Sequence, residues 1–286
     1  MRKQETFASR LFDVGNILFM LVLVVVMMYP LVYVFSASIS NNALVASGAV
    51  LLFPKDITWI AYEQLVKRSE LWISYWNTIR YAFVHMVFTL AATSAMAYPL
   101  AKRWLPGRRL ILMLAAFTLL FSGGMIPTFL VVQKLGMLNT IWAIVLPTLI
   151  STWHLFIMRT FFEALPAELE DAAAIDGCGP MQILMRIVVP LSLPVFATIS
   201  LFTVVNQWNA FFNALIYLSD RDMYPLQIML RNILIAGQNV QGEGDMTHLE
   251  TLKYAMIIIG TLPILCMYPF VQKYFVQGTM IGGIKG

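Results

Sequence analysis

No charged residue occurs between Asp13 and Lys55. Within that stretch, residues 17–38 supply the roughly 20 apolar residues that carry one helix across a bilayer. Hydrocarbon offers no partner for backbone N–H and C=O groups, so a segment of this kind spans as a helix. Ser36-Ala37-Ser38 would suit a signal-peptide cleavage site, but the apolar run exceeds the roughly 7–15 residues of a signal core. We therefore keep it as a first span. The rest of the chain continues in the same way. Of 286 residues, 59% are hydrophobic and 12% charged, with a mean hydropathy of +0.76. The expectation is an all-α, polytopic membrane protein forming one domain over residues 1–286.

Five further apolar stretches are long enough to span, about 76–100, 110–132, 140–162, 187–212 and 254–274. Several are interrupted by helix breakers, among them Ser122-Gly123-Gly124, Pro127, Pro147, Pro194 and Pro263. Broken helices often line transport paths, because freed backbone groups are tolerated where they face protein or water. The Gly123–Pro127 break is the first candidate for such a path. Proline is also common in membrane helices generally, so the break has a purely structural reading as well.

With the amino terminus inside, eleven Lys and Arg fall on the inner side and eight on the outer. The short connection at 101–109 holds four of them, Lys102, Arg103, Arg108 and Arg109. Short loops count most in setting orientation, so both termini and the segment near residue 170 are expected in the cytoplasm. No Asp or Glu occurs between Glu70 and Glu163, or between Asp176 and Asp220, or after Glu250. Ion-coupled transporters commonly use intramembrane carboxylates, so their absence speaks against the alternative of a secondary transporter for a small polar solute. An intramembrane enzyme is disfavoured too: His85 and His154 have no acid in their spans, and no H-E-x-x-H motif occurs. His85, His154 and His248 lie far apart with no metal-ligand spacing. Cys178 and Cys266 imply no disulfide framework. We expect no catalytic residue, metal or bound cofactor in this chain. It also lacks a G-x-x-x-x-G-K-[ST] phosphate loop.

The most distinctive polar segment is 166–190, PAELEDAAAIDGCGPMQILMRIVVP. Pro166 suits the first turn of a helix, and Glu168 and Glu170 complement the positive end of its dipole. Gly177 supplies a stop without a Cβ. The spacing predicts a short helix over about 167–177. Leu169, Ala172, Ala173 and Asp176 follow i, i+3, i+4, i+7 and so share one face, composed mostly of small residues that a partner surface can approach closely. The structural alternative is a loop helix packed on its own chain.

Asp171-Ala172-Ala173, then Gly177, then Ile187, Val189 and Pro190, resembles the EAA loop of permease subunits of ATP-binding-cassette importers. The chain departs from that pattern with Asp171 for Glu and Val189 for Leu. The resemblance implies a type I importer permease fold in which this segment is a cytoplasmic coupling helix docking on an ATPase. Glu168, Leu169, Asp171, Ala172, Ala173, Asp176 and Gly177 would make that contact. The likeness extends to Gly124-Met125-Ile126-Pro127, to 135–140, to 208–217 and to the ending 272–286. The ending is similar to that of the carbohydrate-uptake branch, within it the maltose-permease-G-like subunits and the complex-oligosaccharide group. The implied function is passage of a sugar or oligosaccharide from an external binding protein to the cytoplasm. The implied partners are a homologous second permease, two ATPase subunits holding ATP and Mg, and an extracellular solute-binding lipoprotein, all at a bacterial cell membrane.

Candidate sugar contacts follow from the fifth apolar stretch. Asn206, Asn209 and Asn213 lie at i, i+3 and i+7, and Trp208 and Phe212 at i and i+4 on a neighbouring face. Amides both donate and accept to hydroxyls, and an aromatic face can pack on the C–H side of a sugar ring. Trp153 is a further candidate. The alternative places the aromatics in an interfacial belt and the amides at a helix end.

Overall fold

The computed structural model describes residues 7–239 and 249–283. Arg2, Lys3 and Lys285, counted above for the inner side, and the ending at 284–286 lie outside the described residues. Among the described residues the fold is helical. It packs as two units, one running up to Leu71 and resuming over Leu230–Leu262, the other comprising Trp72–Met229 and the chain from Pro263.

In the first unit, α1 (Phe7–Ser38) is the long helix expected from the uncharged opening. Its apolar side chains stay largely exposed, Val25 by 67% and Met27 by 67%, as befits a surface whose solvent is lipid. Its end is fixed by buried serines. Ser36 Oγ donates to the Leu52 carbonyl at 2.6 Å, and Ser40 Oγ accepts from the Lys55 amide at 3.0 Å while donating to the Ser36 carbonyl. These bonds satisfy hydroxyls that would otherwise cost free energy on burial. Asn41 caps α2 (Asn42–Ala46) by accepting from Ala43 N–H, and α3 (Ile60–Val66) follows. Tyr62 of α3 shares a 2.8 Å hydrogen bond with Ser38.

The second unit is organised by α4 (Ser69–Ala101), an unbroken helix whose first residues belong to the first unit. The next three apolar stretches are not straight spans. α5 (Arg108–Leu120) and α6 (Met125–Lys134) meet at 116°. Gly124 permits that turn, with φ +84°. α7 (Ile141–Val145) tightens into a 3-10 turn at Leu146–Thr148 around Pro147, then bends by 57° into α8 (Thr152–Glu163). The segment predicted to form the coupling helix is α9 (Ala167–Ile175). α10 (Pro180–Ile183), a π turn at Leu184–Val188 and α11 (Val189–Leu191) then bend by 82° into α12 (Leu193–Asn209). The fifth span, expected as one helix over 187–212, is therefore two. A break at Ala210 and Phe211 separates α12 from α13 (Phe212–Tyr217). α14 (Leu226–Asn239) and α15 (Leu249–Gly283) each pass from one unit to the other. Among the described residues three helices are long and apolar enough to cross a membrane, or up to six spans if each bent pair counts as one.

One helix separates two polar ends of the second unit. Near its start, Asn77 Nδ2 donates to the Asp222 carbonyl at 2.7 Å, and Tyr81 Oη to the Met223 carbonyl at 2.8 Å. Near its end, Tyr98 reaches Glu170 of α9 at 2.9 Å. From Asn77 to Tyr98 an α-helix rises about 31 Å, comparable with the hydrocarbon core at about 30 Å.

Candidate functional site

The α9 helix begins after Pro166, has Glu168 and Glu170 in its first turn, and ends at a Schellman motif. Cys178 N–H donates to the Ala173 carbonyl at 2.9 Å, and Gly177 N–H to the Ala174 carbonyl at 3.1 Å. Those two bonds require a left-handed residue after the helix, and Gly177 has φ +82°. Gln182 Oε1 then accepts from Gly179 N–H at 3.0 Å and starts α10. The stop expected at Gly177 is present, and the chain resumes as a helix at Pro180.

The two faces of α9 differ in kind. Ala173 is buried in a core built from Leu155, Met158, Phe162, Ile183 and Leu184. Glu170, one turn earlier, accepts from Tyr98 Oη and pairs with Lys102, whose ammonium also lies 4.6 Å from the Tyr98 ring centre. A second brace stands beside it. Glu163 at the end of α8 pairs with Arg108 and Arg159, and both guanidinium groups also donate to the Leu100 carbonyl. The opposite face carries Glu168, Leu169, Ala172, Ile175 and Asp176, all exposed. Leu169 is 44% exposed and Ile175 87%. The predicted face thus needs one correction. Leu169, Ala172 and Asp176 do point away from the chain, but Ala173 faces inward because it sits one turn after Glu170, on the stripe that packs. Ile175, absent from the predicted set, takes its place. Asp171 is exposed and lines a groove with Lys102, Arg103 and Trp104.

A cavity of about 420 Å³ lies deeper in the same unit. Its walls are His85 and Thr89 of α4, Thr148 and Ser151 at the break between α7 and α8, and Trp153 and His154 of α8. Phe202, Thr203, Asn206 and Gln207 of α12, Ala210 and Asn213 complete it. His85 and Thr89 stand about midway between Asn77 and Tyr98 on α4. The break at Pro147 frees the Thr148 carbonyl, and His85 Nε2 meets it at 3.2 Å. Among the described residues, four buried atoms at the cavity find no hydrogen-bond partner: His85 Nδ1, Thr89 Oγ1, His154 Nδ1 and Thr203 Oγ1.

Of the predicted sugar contacts, Asn206, Asn213 and Trp153 come together on this cavity. Trp208 does not line it: the indole is buried, edge-on to Tyr75 at 5.9 Å. Asn209 turns back to the Val205 carbonyl at 2.9 Å. Phe212 is exposed beyond the break after α12. The Gly123–Pro127 break does not line the cavity either, whereas the break after Pro147 does. His85 and His154, read singly from the sequence, share one chamber 69 residues apart in the chain. Their separation hid that pairing. Among the described residues no cluster of three or more His, Cys, Asp or Glu could hold a metal ion.

Bent helix pairs of spanning length, a cavity among them and a short helix presented at one end suit a membrane permease. The chain belongs to the family of binding-protein-dependent transport system inner membrane components, whose model matches residues 2–280. It is 43% identical over 287 residues to Protein LplC of Bacillus subtilis (strain 168), covering 99% of this chain and 97% of the relative. It is 39% identical over 284 residues to the polygalacturonan/rhamnogalacturonan transport system permease protein YtcP of the same organism, covering 97% and 99%. Among solved structures it matches a chain of a bacterial ABC transporter involved in the import of the acidic polysaccharide alginate. That match has a TM-score of 0.86 and 34% identity over 94% of this chain and 98% of the other. The protein is thus a permease subunit of an ABC importer of the inner membrane, and it is not itself the ATPase.

Proposed function

We propose that this subunit passes an oligosaccharide inward from an external solute-binding protein, driven by ATP hydrolysis on a separate chain that docks on the outer face of α9. The observation that carries the reading is the two-sided α9. One face is braced to the permease through Ala173 and the Glu170–Lys102–Tyr98 contacts. The other leaves Ile175 and Leu169 uncovered on a helix rich in small residues. An apolar side chain with 87% of its surface in water suits a partner's cleft. The relatives support the cargo class, since their names specify polygalacturonan, rhamnogalacturonan and alginate.

The partners in this reading are a second, homologous permease, two ATPases holding ATP and Mg, and a solute-binding lipoprotein. The docking set is Glu168, Leu169, Asp171, Ala172, Ile175 and Asp176, with Gly177 shaping the end of the helix. The path runs through the chamber lined by Asn206, Asn213 and Trp153. The α9 end of the second unit faces the cytoplasm, as do both termini. Lys102, Arg103, Arg108, Arg109 and Arg159 gather in sequence and contact around that end, which suits the inner side of a membrane.

Replacement of Ile175 or Leu169 by Asp tests the docking face. Both positions are exposed, so Ile175→Asp and Leu169→Asp should insert and accumulate as wild type. Co-purification of the ATPase should fall at least about tenfold, because interface anchors of this kind are worth about 2 kcal/mol. Undiminished co-purification and uptake in both variants would return α9 to the status of an ordinary loop helix.

A further inference from the structure

The walls of the chamber are polar without being charged. Of the twelve described residues that line it, none is Asp, Glu, Lys or Arg. We infer that the chamber is a subsite for the uncharged, hydroxyl-bearing part of a saccharide, held through Thr89, Thr203 and His85, and that it does not read the charge of the cargo. This rests on the saccharide reading above and adds to it which groups of the sugar are recognised, and by which residues.

The threonines make the argument. Thr78, Thr128, Thr160, Thr198 and Thr261 each donate to the carbonyl four residues earlier in their own helix, at 2.7–2.9 Å. That bond is open to any threonine inside a helix. Thr89 of α4 and Thr203 of α12 are both 2% exposed, yet their hydroxyls make neither that bond nor another among the described residues. Burying a hydroxyl without a partner costs free energy. Both residues line the chamber, so a ligand there can supply what their own backbone does not. Thr93, one turn beyond Thr89, and Ser192 also lack a partner, but neither lines the chamber.

His85 adds an acceptor. Its Nε2 lies 3.2 Å from the Thr148 carbonyl, which can only accept, so that nitrogen bears the proton. In the neutral ring Nδ1 is then a lone pair, and it has no donor among the described residues. The walls hold no carboxylate to balance an imidazolium, so the neutral ring is the form this site accommodates. A lone pair takes a hydrogen bond from a sugar hydroxyl and gains nothing from a carboxylate, which only accepts. Thr89 and Thr203 both donate and accept, as sugar hydroxyls do. An ionised carboxylate would meet neutral donors but no counter-charge, and burying an unpaired charge is costly. Trp153, 62% exposed, offers a face for the C–H side of a ring. A volume of about 420 Å³ falls within the range of small-molecule sites, about 300–1,000 Å³.

The test uses the assembled membrane complex in nanodiscs without its solute-binding protein, and saturation-transfer NMR, which reads direct contact with weak ligands. The probes are methyl galactopyranoside, the corresponding uronate, and fluorinated analogues of the galactoside in which one hydroxyl at a time gives way to fluorine, which has no proton to donate. Wild type should bind the galactoside, and the uronate no better. At least one fluorinated analogue should bind about tenfold more weakly, the loss of one hydrogen bond whose protein partner stays buried and unpaired. Thr89→Val and Thr203→Val remove only the hydroxyl and should each weaken the galactoside by a similar factor. An analogue weakened on wild type should lose nothing more on the variant that removes its partner, since the two losses are one interaction. Thr93→Val should bind as wild type. A uronate preference, fluorinated analogues that all bind like the galactoside, unchanged binding by both chamber variants, or a loss in Thr93→Val equal to theirs would overturn the inference while leaving the saccharide reading intact. So would the absence of binding by every probe while the full importer, with its binding protein, carries an oligosaccharide into proteoliposomes, for the unpaired groups would then serve water alone. If no oligosaccharide is carried, the saccharide reading falls and this inference with it.

Discussion

Ala173 and Ile175 are two positions apart and face opposite ways, so the same chemistry at each should fail differently. Ala173 is packed among Phe162, Ile183 and Leu184. Ala173→Glu would bury a charge with no partner, at a cost of about 3 kcal/mol or more. The expected outcome is a permease that unfolds at lower temperature in detergent before any ATPase is added, whereas Ile175→Asp keeps the wild-type melting temperature. Equal melting of the two would mean Ala173 is not held as described. Gly177 tests the backbone alone. Its φ is +82°, yet a Cβ there would meet nothing within 4 Å. The penalty for Gly177→Val is therefore conformational, about 1–3 kcal/mol, and Gly177→Asn should cost clearly less, since Asn tolerates the left-handed region. The same ranking should appear in thermal unfolding of the purified subunit; no difference between Val and Asn would contradict the left-handed assignment.

At the scale of elements, the joint between α9 and α4 is a single acid. Glu170 contacts both Tyr98 and Lys102, with the two charged side chains 14% and 21% exposed. The middle of the same helix carries the chamber residues His85 and Thr89, so this pair is where a push from α9 is expected to enter α4. Glu170→Lys alone should cost about 2–4 kcal/mol, the effect of leaving a mostly buried charge unpaired, and should weaken the response of ATP hydrolysis to liganded binding protein. The exchange Glu170→Lys with Lys102→Glu should restore much of both. Failure of the exchange to rescue either readout would show that the contact is incidental. The sequence made α9 legible to within two residues, because its signals are local: a proline, first-turn acids and a glycine stop. Its inward stripe was not legible, since Glu170 finds Tyr98 and Lys102 only through an association 72 and 68 residues long in sequence. The same reason limits the chamber. The i, i+3, i+7 spacing of Asn206, Asn209 and Asn213 assumes one helix to residue 212, but α12 ends at Asn209. Asn213 returns to the cavity after the break, and Asn209 spends its amide on the Val205 carbonyl. Apolar length announced six spans, while the 116°, 57° and 82° bends depend on where broken backbone finds a partner, as the Thr148 carbonyl does in His85.

For the whole molecule the decisive question is which face of the membrane α9 occupies. Two independent arguments meet here. The rise of about 31 Å along α4 separates the Asn77 contacts with 222–224 from the Tyr98 contact with Glu170, far enough for these ends to lie on opposite sides of a core about 30 Å thick. The charge count favours the proposed orientation, because Lys102, Arg103, Arg108 and Arg109 lie just after α4 and at the start of α5 and the positive-inside rule expects such a loop in the cytoplasm. Neither argument uses the resemblance of the α9 segment to a coupling helix. Introduced thiols can check the result. Cys178 is half-buried beside the core and Cys266 lies in the last span, so both are first replaced by Ser. On that background Ile175→Cys and Lys134→Cys each place a thiol at an exposed position of the second unit. A membrane-impermeant maleimide should label Lys134→Cys in intact cells and leave Ile175→Cys untouched. Inverted vesicles stripped of the ATPase should reverse the pattern, and adding the ATPase back should protect Ile175→Cys, because docking covers it. Labelling of Ile175→Cys from outside intact cells would invert the topology, and no ATPase could then reach α9. Labelling from inside without protection would keep the topology and reject the docking face.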